Sequence, residues 1–282
     1  MSYKNIVELI EKSSLNKKDE IVKSIRPSIQ ISTKRVEIST MSIGSSRMGG
    51  EPDLPPSVEW PSWVFPETGK SHSLDFIAQI NLSEIANFPC SDVLPKEGML
   101  YFFYDMTNCT WGFDPKDKGS ARTIYFSGKG ESLERRPLPE YLVPTHACQL
   151  LFDQGWTTRD SLFDPDEDDA EFSELIEAID NVCSDDSEHH LLGNANTIQS
   201  DMELDCQLVT HGIYCGNSTG YNTDRAKELE AGAGQWKLLL QVDSDENPGW
   251  MWGDLGRIYF WIKESDLKAC NFDDTWLILQ CS

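Results

Sequence analysis

The spacing of apolar and polar positions divides the chain into a short helical start and a longer strand-rich body. Within residues 1–27 the apolar side chains recur three or four positions apart, which is typical of amphipathic helices. They are Ile6, Leu9, Ile10, Leu15, Ile21, Val22 and Ile25. The pattern breaks at residues 13–16 and stops at Pro27, so it predicts two short helices. This segment would form either a layer on the body or a mobile arm.

From residue 28 onward the pattern changes to the alternation and short apolar runs of β-strands. Ile29 and Ile31, then Val36 and Ile38, predict an extended start. Further strands are predicted at residues 76–80, 98–104, 121–127, 146–152, 236–242, 256–262 and 275–281. We expect Ser83 to cap a short helix after the first of these.

Three segments between the strands do not follow the strand pattern. Residues 45–66 are rich in Gly and Pro and predict an irregular loop, anchored by burial of Trp60, Trp63 and Phe65. Residues 191–206 are loop-like. Residues 169–183 carry apolar side chains at helical spacing and predict a helix.

One strand unit occurs twice. Residues 74–81 end in Gln79-Ile80-Asn81 and precede a Gly that opens an aromatic strand, and residues 239–243 do the same with Gln241-Val242-Asp243. The two aromatic strands then read Leu-Tyr-Phe-Phe and Ile-Tyr-Phe-Trp. This order predicts an internal duplication, with two similar β-units packed about a pseudo-twofold axis.

The sequence therefore predicts an α+β fold with a mostly antiparallel, internally duplicated β-sheet body and short helices. We divide the chain into an N-terminal helical segment, residues 1–27, and a β-rich domain, residues 28–282, that carries an acidic helical insert at 160–190. A chain of 282 residues can bury one large core or two closely packed halves.

The net charge of −23 is unevenly distributed. Residues 1–50 hold nine Lys/Arg and five Asp/Glu, whereas residues 160–205 hold 16 acidic residues and neither Lys nor Arg. Such a field repels nucleic acid and anionic lipid and attracts basic proteins, although acidity can also serve solubility alone. No apolar run is long enough to cross a bilayer and no signal-peptide pattern opens the chain, so we expect a cytoplasmic protein. The eight cysteines lack metal-ligand spacing and are expected as free thiols.

Short blocks from about residue 45 to the C-terminus resemble those of a known family. They include Arg47-Met48-Gly49-Gly50, Phe76-Ile77-Ala78-Gln79-Ile80, Leu100-Tyr101-Phe102-Phe103, His190-Leu191-Leu192-Gly193, Leu239-Leu240-Gln241, Asp243-Ser244-Asp245 and Trp252-Gly253-Asp254. In order and number these blocks resemble the YwqG-like family of bacterial proteins, which has no assigned function. The resemblance implies a single α+β domain dominated by antiparallel sheet. It also implies that some members are immunity or accessory proteins encoded near toxin genes.

An oxygen-rich loop provides the main candidate for metal chemistry. Asp243, Asp245 and Asp254 lie at metal-ligand spacing, but Pro248 stands where a calcium loop needs Gly, and Asp254 replaces the usual Glu. The alternative is that these side chains cap turns. We predict no cofactor. No nucleophile motif or phosphate loop is present in the sequence, which favours a protein without catalytic activity.

The remaining candidates are binding residues. Asp164, Asp166, Asp168 and Asp169 form the start of the acidic insert. Trp250 and Trp252, like Trp60 and Trp63, either plug the ends of the sheet or form an exposed platform. Arg47 precedes a Gly-Gly pair that could bind an anion or simply turn. Gln79 and Gln241 end equivalent strands, where we expect them to bind backbone amides of a neighbouring loop before any ligand.

The leading hypothesis is a cytoplasmic, non-enzymatic protein-binding module that neutralises or adapts a basic partner, such as a toxin, through its acidic surface. The alternative is a protein that binds a small ligand or divalent metal, and is possibly an enzyme, centred on residues 243–254. Nucleic acid and membrane are not expected as partners, and the sequence leaves the oligomeric state open.

Overall fold

The helices are short and lie between or beside the strands. The computed structural model describes residues 2–128, 132–162 and 188–282. Within them the α-helices are α1 (Tyr3–Lys12), α2 (Lys18–Ser24), α3 (Leu82–Ile85), α4 (Glu203–Val209), α5 (Asp224–Glu230) and α6 (Glu264–Lys268). None of the helices in these ranges combines the length and apolar character that crossing a bilayer requires. The helix predicted at 169–183 lies outside the described residues.

Antiparallel strands make up most of the body. They are β1 (Arg26–Arg35), β2 (Arg47–Met48), β3 (Asp53–Leu54), β4 (Ser62–Val64), β5 (Ser71–Ser73), β6 (Asp75–Asn81), β7 (Met99–Tyr104), β8 (Ala121–Phe126), β9 (Glu134–Arg135), β10 (Cys148–Thr157), β11 (His189–Leu191), β12 (Trp236–Asp243), β13 (Arg257–Lys263) and β14 (Trp276–Gln280). Ten of them form one sheet in the order β14-β13-β12-β11-β1-β10-β2-β6-β7-β8. The pairs β3-β9 and β4-β5 lie apart from it.

The same sequence of strand types extends from the centre of the sheet towards each of its two edges. The long strands β1 and β10 pair at the centre, each followed by a short strand and then by a three-stranded meander. We call β10, β2, β6, β7 and β8 the first half, and β1, β11, β12, β13 and β14 the second half. Gln79 pairs with Tyr101, and Gln241 pairs with Tyr259. A β-bulge also occurs at the same place in both halves, at Ile77 and at Leu239. The predicted α+β fold and internal duplication are confirmed.

The first two strands of each meander are buried on both faces, which explains why they are almost continuously apolar. One shared cluster fills the inner side, where the rings of Phe102 and Phe260 meet at 5.0 Å. Separate clusters cover the outer face of each half. The two edge strands also approach each other, since the Thr123 and Thr275 hydroxyls lie 3.0 Å apart. The sheet therefore curls around one core.

The N-terminal helices pack against the central strands. Ser2 caps α1 by accepting from the Asn5 N–H, and the apolar positions predicted from the sequence form a small core of their own, except Leu9, which is exposed. Trp156 of β10 joins this core, and its ring lies 5.2 Å from that of Tyr3. The two predicted helices are confirmed, and they form a docked layer rather than an arm.

Three local predictions differ from the structure. Ile38 begins a turn of 3-10 helix (Ile38–Thr40) instead of continuing a strand. Asn81, not Ser83, caps α3, because its side-chain oxygen accepts from the Ser83 N–H. Residues 191–206 are not all loop, since β11 includes Leu191 and α4 begins at Glu203.

Candidate functional site

A buried ion pair anchors the outer layer of the first half. Arg47 Nη2 lies 2.6 Å from Asp53 Oδ1, and both side chains are inaccessible to solvent. Arg135 of β9 donates to the same oxygen at 3.0 Å. Gln79 accepts from the Asp53 N–H at 2.7 Å, and the Tyr101 hydroxyl donates to the Asp53 carbonyl at 2.6 Å. Arg47 and Gln79, both predicted binding residues, thus fix the strand β3 to the sheet.

The Gly-Gly pair after Arg47 is a turn whose amides are already bonded. The Gly49 N–H donates to the Ile77 carbonyl at 2.9 Å, and the Gly50 N–H donates to the Thr145 hydroxyl at 3.2 Å. Both glycines have positive φ, and a Cβ at Gly49 would lie 2.3 Å from a backbone oxygen. The pair therefore serves close packing, and its amides are not open to an anion.

The second half repeats this cluster with its ions at other positions: Arg257 donates to the Asn196 carbonyl at 3.1 Å, and the Asn196 side chain donates to Glu188 at 2.7 Å. Gln241 accepts from the Asn196 N–H at 2.9 Å, and the Tyr259 hydroxyl donates to the Asn196 carbonyl at 2.8 Å. His190 occupies the position of Arg47 and donates through Nε2 to the Asn194 carbonyl at 3.0 Å. Burial lowers the pKa of His190 to about 4, so the imidazole is neutral at pH 7. The equivalent of Asp53 is Asn196.

The carboxylates proposed for a metal do not converge. Asp243 accepts from Arg257 Nε at 3.1 Å, and Asp245 bonds to side chains of β1 and β11. Asp254 has an exposed side chain, and its carbonyl accepts from the Ser282 N–H at 3.2 Å. Across residues 2–128, 132–162 and 188–282, no group of three or more His, Cys, Asp or Glu side chains is arranged to hold a metal ion. The geometry favours the turn-capping interpretation of this loop.

Asp245 instead belongs to a contact between distant segments. Its Oδ2 accepts from the Thr33 hydroxyl at 2.6 Å and lies 3.1 Å from His189 Nε2. The Asp243 N–H donates to His189 Nδ1 at 2.9 Å, which leaves Nε2 as the protonated nitrogen. Hydrogen bonds from His189 and Thr33 outweigh the effect of burial and hold the pKa of Asp245 below its usual value. This set resembles part of a catalytic triad but is buried and fully paired.

The described cysteines are free thiols, and burial is the main influence on those whose pKa shifts. Burial raises the pKa of Cys148 to about 12 and that of Cys90 to about 11. Cys206 and Cys215 are buried, and burial raises the pKa of both thiols. A thiolate nucleophile needs the opposite shift. Of the cysteines that the structure describes, Cys270 is the one classed as exposed.

The tryptophans of the oxygen-rich loop are core residues. Trp250 is 3% exposed and Trp252 is 1% exposed, and their rings lie 5.4 Å apart. The Trp252 indole N–H donates to the Asp243 carbonyl at 3.0 Å. Trp63 is also buried, and Trp60 packs on the ring of Phe103. The platform hypothesis for Trp250 and Trp252 is therefore wrong, because neither ring is available to a partner.

A cleft of about 820 Å³ opens on the outer face of the second half. Its apolar floor includes Trp236, Leu238 and Trp261, all nearly inaccessible to solvent. Arg26 and Lys237 contribute to its polar walls. Its volume falls within the range of about 300–1,000 Å³ that is common for small-molecule sites.

Comparison with known families gives one match. The family described as a domain of unknown function, DUF1963, matches residues 46–281. The chain belongs to the DUF1963 family. A search of curated proteins finds no match. The DUF1963 region includes every strand of the large sheet except β1, which lies at its centre, so residues before 46 complete the sheet.

Within this DUF1963 domain, Asp53, His189 and the floor of the cleft could not be recognised from the sequence pattern. The repeated unit was the signal that could have located the cleft, because Trp236 and Trp261 stand at the positions of Leu74 and Phe103. The acidic candidates Asp164, Asp166, Asp168 and Asp169 lie outside the described residues.

Proposed function

We propose that this DUF1963 protein is a non-enzymatic binding module that recognises a basic protein partner through its acidic insert. The observation that carries the proposal is the charge of residues 163–187, which hold eleven Asp/Glu and neither Lys nor Arg. A field of this strength accelerates encounter with a basic surface and disfavours acidic ones.

The attachment of this stretch to the sheet supports the proposal. On one side, Leu162 packs against the core of the N-terminal helices. On the other, the Glu188 N–H donates to Asp243 at 3.0 Å, and its carbonyl accepts from Gln241 at 2.7 Å. The strands β10 and β11, which lead into and out of the stretch, both pair with β1. A partner of residues 163–187 would therefore bind between two segments, at Leu162 and Glu188, that are held in place by contacts with the fold.

The chemistry of the described residues is consistent with binding rather than catalysis. Buried thiols have raised pKa values, His189 uses both ring nitrogens within the fold, and the buried His190 donates its N–H to a backbone carbonyl. The chain resembles the YwqG-like family, in which some members are encoded near toxin genes. This resemblance favours an immunity or adaptor role for the same surface. A cytoplasmic location is part of the proposal, because free thiols are typical of a reducing compartment.

The first experiment is native co-purification from the source cell at low and high salt, with mass spectrometry. The test variant changes Asp164, Asp166, Asp168 and Asp169 to Asn. The control variant removes the same charge from exposed carboxylates elsewhere, by changing Glu59, Glu67, Glu140 and Glu246 to Gln. We expect a stoichiometric basic protein that high salt releases, the control retains, and the test variant loses.

The magnitude follows from the four charges. Exposed ion pairs contribute roughly 0.2–1 kcal/mol each, so losing four of them should weaken binding about fourfold or more. Equal capture by both variants would remove the acidic insert from the mechanism. The alternative of a metal or small ligand at residues 243–254 gains no support from the geometry, and we expect no thermal stabilisation by Ca²⁺, Mg²⁺, Mn²⁺ or Zn²⁺.

A further inference from the structure

The loop between α4 and α5 differs in charge from the rest of the protein. Its residues, 210–223, include no Asp, Glu, Lys or Arg, although these four types make up 25% of the chain. Most of the loop is exposed to solvent. An exposed stretch without charge, on a protein with a net charge of −23, has the surface chemistry that suits a neutral ligand.

One aromatic ring of this loop lies against the backbone and remains open to solvent. Tyr214 is 47% exposed. A Cβ built on Gly216 would lie 2.2 Å from the Tyr214 hydroxyl oxygen and 2.4 Å from Cζ, and one on Gly220 would lie 2.1 Å from the Tyr214 carbonyl oxygen. Two glycines are therefore required for the ring to rest on the loop backbone in this position.

Hydrogen bonds hold the loop in this conformation. The Tyr221 hydroxyl donates to the Asp205 carboxylate of α4, and Asn222 Nδ2 donates to the Ser218 carbonyl at 2.8 Å. A loop that is already ordered loses little conformational entropy when it binds a ligand.

A second exposed ring lies on the adjoining loop. The structure describes all nine tryptophans, and Trp111, at 45%, is the one that is classed as exposed. Its carbonyl accepts from the Leu279 N–H at 3.0 Å, and the Phe113 carbonyl accepts from the Cys215 N–H at 2.8 Å. Through this second bond, the Cα atoms of Trp111 and Tyr214 are at most about 17 Å apart.

The free polar groups around Tyr214 are amides and hydroxyls. Within the described part of the chain, Asn217 Nδ2 and the hydroxyls of Tyr214, Ser218 and Thr219 have no hydrogen-bond partner. These groups donate and accept hydrogen bonds without charge. Tyr214 is also the one large apolar side chain of this described loop that is classed as exposed, so the loop lacks the apolar centre that is typical of a protein interface.

We propose that Tyr214, Trp111 and the 210–223 loop bind a neutral oligosaccharide. The C–H groups of a sugar ring carry partial positive charge and pack on the negative face of an aromatic ring. The sugar hydroxyls bond to the free amide and hydroxyl groups of the loop, and a short oligosaccharide reaches both rings. This site is separate from the acidic insert and does not depend on a protein partner.

Isothermal titration of the full chain with tetrasaccharides tests the class of ligand. The neutral probes are maltotetraose, cellotetraose and chitotetraose. The charged comparison is the glucosamine tetramer, which is chitotetraose without its acetyl groups. We expect at least one neutral probe to bind saturably with a Kd of about 1 mM or lower, and with equal affinity at low and high salt because salt screens charges alone.

Two results would overturn this assignment. One is the absence of saturable binding of every neutral probe up to about 5 mM. The other is binding of the cationic tetramer alone, with release by salt, because the net negative charge of the protein would explain it without a site.

Paired substitutions test the location. Tyr214→Ala removes the ring and should weaken the neutral probe at least about fivefold, whereas Tyr214→Phe keeps the ring and should stay within about twofold of the wild type. The matched control is Tyr141→Ala, which removes a tyrosine that is 65% exposed in another loop and should leave the affinity unchanged. Equal affinity of Tyr214→Ala and the wild type overturns the proposal.

Trp111→Ala tests the second ring. It should weaken the neutral probe about threefold or more, and unchanged affinity would overturn the part of the proposal that includes this ring. If Tyr214→Ala instead loses a co-purified protein while no sugar binds, the surface is a protein contact and the carbohydrate assignment is wrong. Circular dichroism and thermal melts establish that each variant is folded.

Discussion

Replacing Asp53 by Asn should strongly destabilise the protein. The carboxylate accepts four hydrogen bonds: from Arg47 at 2.6 Å, Arg135 at 3.0 Å, the Gly44 N–H at 2.8 Å and Gln79 Nε2 at 3.1 Å. Every group around it is a donor. Asn removes the negative charge and turns one acceptor oxygen into an NH₂ donor that faces other donors, while Arg47 remains a buried cation.

The magnitude follows from burial. Removing one partner of a buried ion pair costs about 3–5 kcal/mol, and Arg47 and Asp53 are both fully buried, so the value should lie in this range. For a chain somewhat longer than 250 residues, each kcal/mol lowers Tm by about 2–4 °C, which gives a decrease of roughly 6–20 °C. Urea unfolding at pH 7, with thermal melts, measures both quantities.

The second half supplies an internal rescue. There the same positions hold His190 and Asn196, and the nearby ions are Arg257 and Glu188. Arg47→His combined with Asp53→Asn copies the residues at these two positions into the first half and removes the fully buried cation, while the partly exposed Arg135 remains. A histidine at 47 can donate to the Glu51 carbonyl, which Arg47 Nε now reaches at 2.9 Å, as His190 donates to Asn194 at 3.0 Å. We expect the double variant to be more stable than Asp53→Asn by about 1 kcal/mol or more.

Acid titration adds a separate readout. Burial alone would raise the pKa of Asp53, but the hydrogen bond and charge of Arg47 outweigh it and leave this pKa below its usual value. Burial also lowers the pKa of Arg47, yet a guanidinium stays charged near neutral pH. The ionised Asp53 therefore stabilises the fold above the unfolded pKa of about 3.9, and that stabilisation is lost as pH falls through the folded value. Asp53→Asn should lack this acid-dependent loss.

Two outcomes would refute this reasoning. A loss of less than about 1 kcal/mol in Asp53→Asn would mean that water or a neighbouring dipole compensates Arg47. A double variant no more stable than the single one would mean that the two clusters are not interchangeable, despite their shared register.

Three further results are expected. Gly112→Ala should lower Tm more than Gly69→Ala. Both glycines have positive φ, but a Cβ at 112 would lie 1.9 Å from the Leu277 carbonyl oxygen, whereas one at 69 meets open space. Equal decreases in Tm would argue against close packing of the loop around Gly112 on β14. Burial raises the pKa of Asp205 to about 6, so the ionised carboxylate destabilises the folded state. Asp205→Asn should therefore stabilise the protein at pH 7.5 by about 1–3 kcal/mol. The free energy of unfolding of the wild type should fall as pH rises from 4 to 6, and that of the variant should fall less. Among the described cysteines, Cys270 should react first with iodoacetamide under native conditions, as peptide mapping would show; rapid labelling of a buried thiol would contradict the fold.

The architecture could be predicted from the sequence to a large extent. Continuous apolar runs indicate strands buried on both faces, and the repeated Gln and aromatic positions identify the two meanders. Gln79 and Gln241 were expected to bind backbone amides of a nearby loop, and they accept from the Asp53 and Asn196 N–H groups. A polar amide in an apolar strand has few ways to be satisfied, which makes such a prediction specific.

Side-chain partners across the fold could not be predicted in the same way. Thr33 and Asp245 are bonded although they lie 212 positions apart, and His189 and Asp245 lie 56 positions apart. These contacts depend on β11 pairing with β1, a topology that local periodicity does not contain. The oxygen-rich loop was accordingly interpreted as a candidate metal site, whereas its carboxylates bind side chains from other strands.

The duplication also shows where the two halves have different tasks. Equivalent strands share their register, the β-bulge and the buried Gln–Tyr pair, so the backbone geometry at equivalent positions is the same in both halves. Differences at equivalent positions therefore need another cause. In the first half Trp60 covers the outer surface over Phe103, while the matching ring in the second half, Trp261, lines a cleft. Both outer surfaces are nonetheless buried, so the halves differ in what covers them. The 45–66 loop supplies Trp60 in the first half, whereas α4 packs over Trp236 in the second, where Gln207 accepts from the Trp236 indole N–H at 3.0 Å. The shared backbone thus fixes the position of each buried ring, and the segment inserted between the strands determines which side chain covers it.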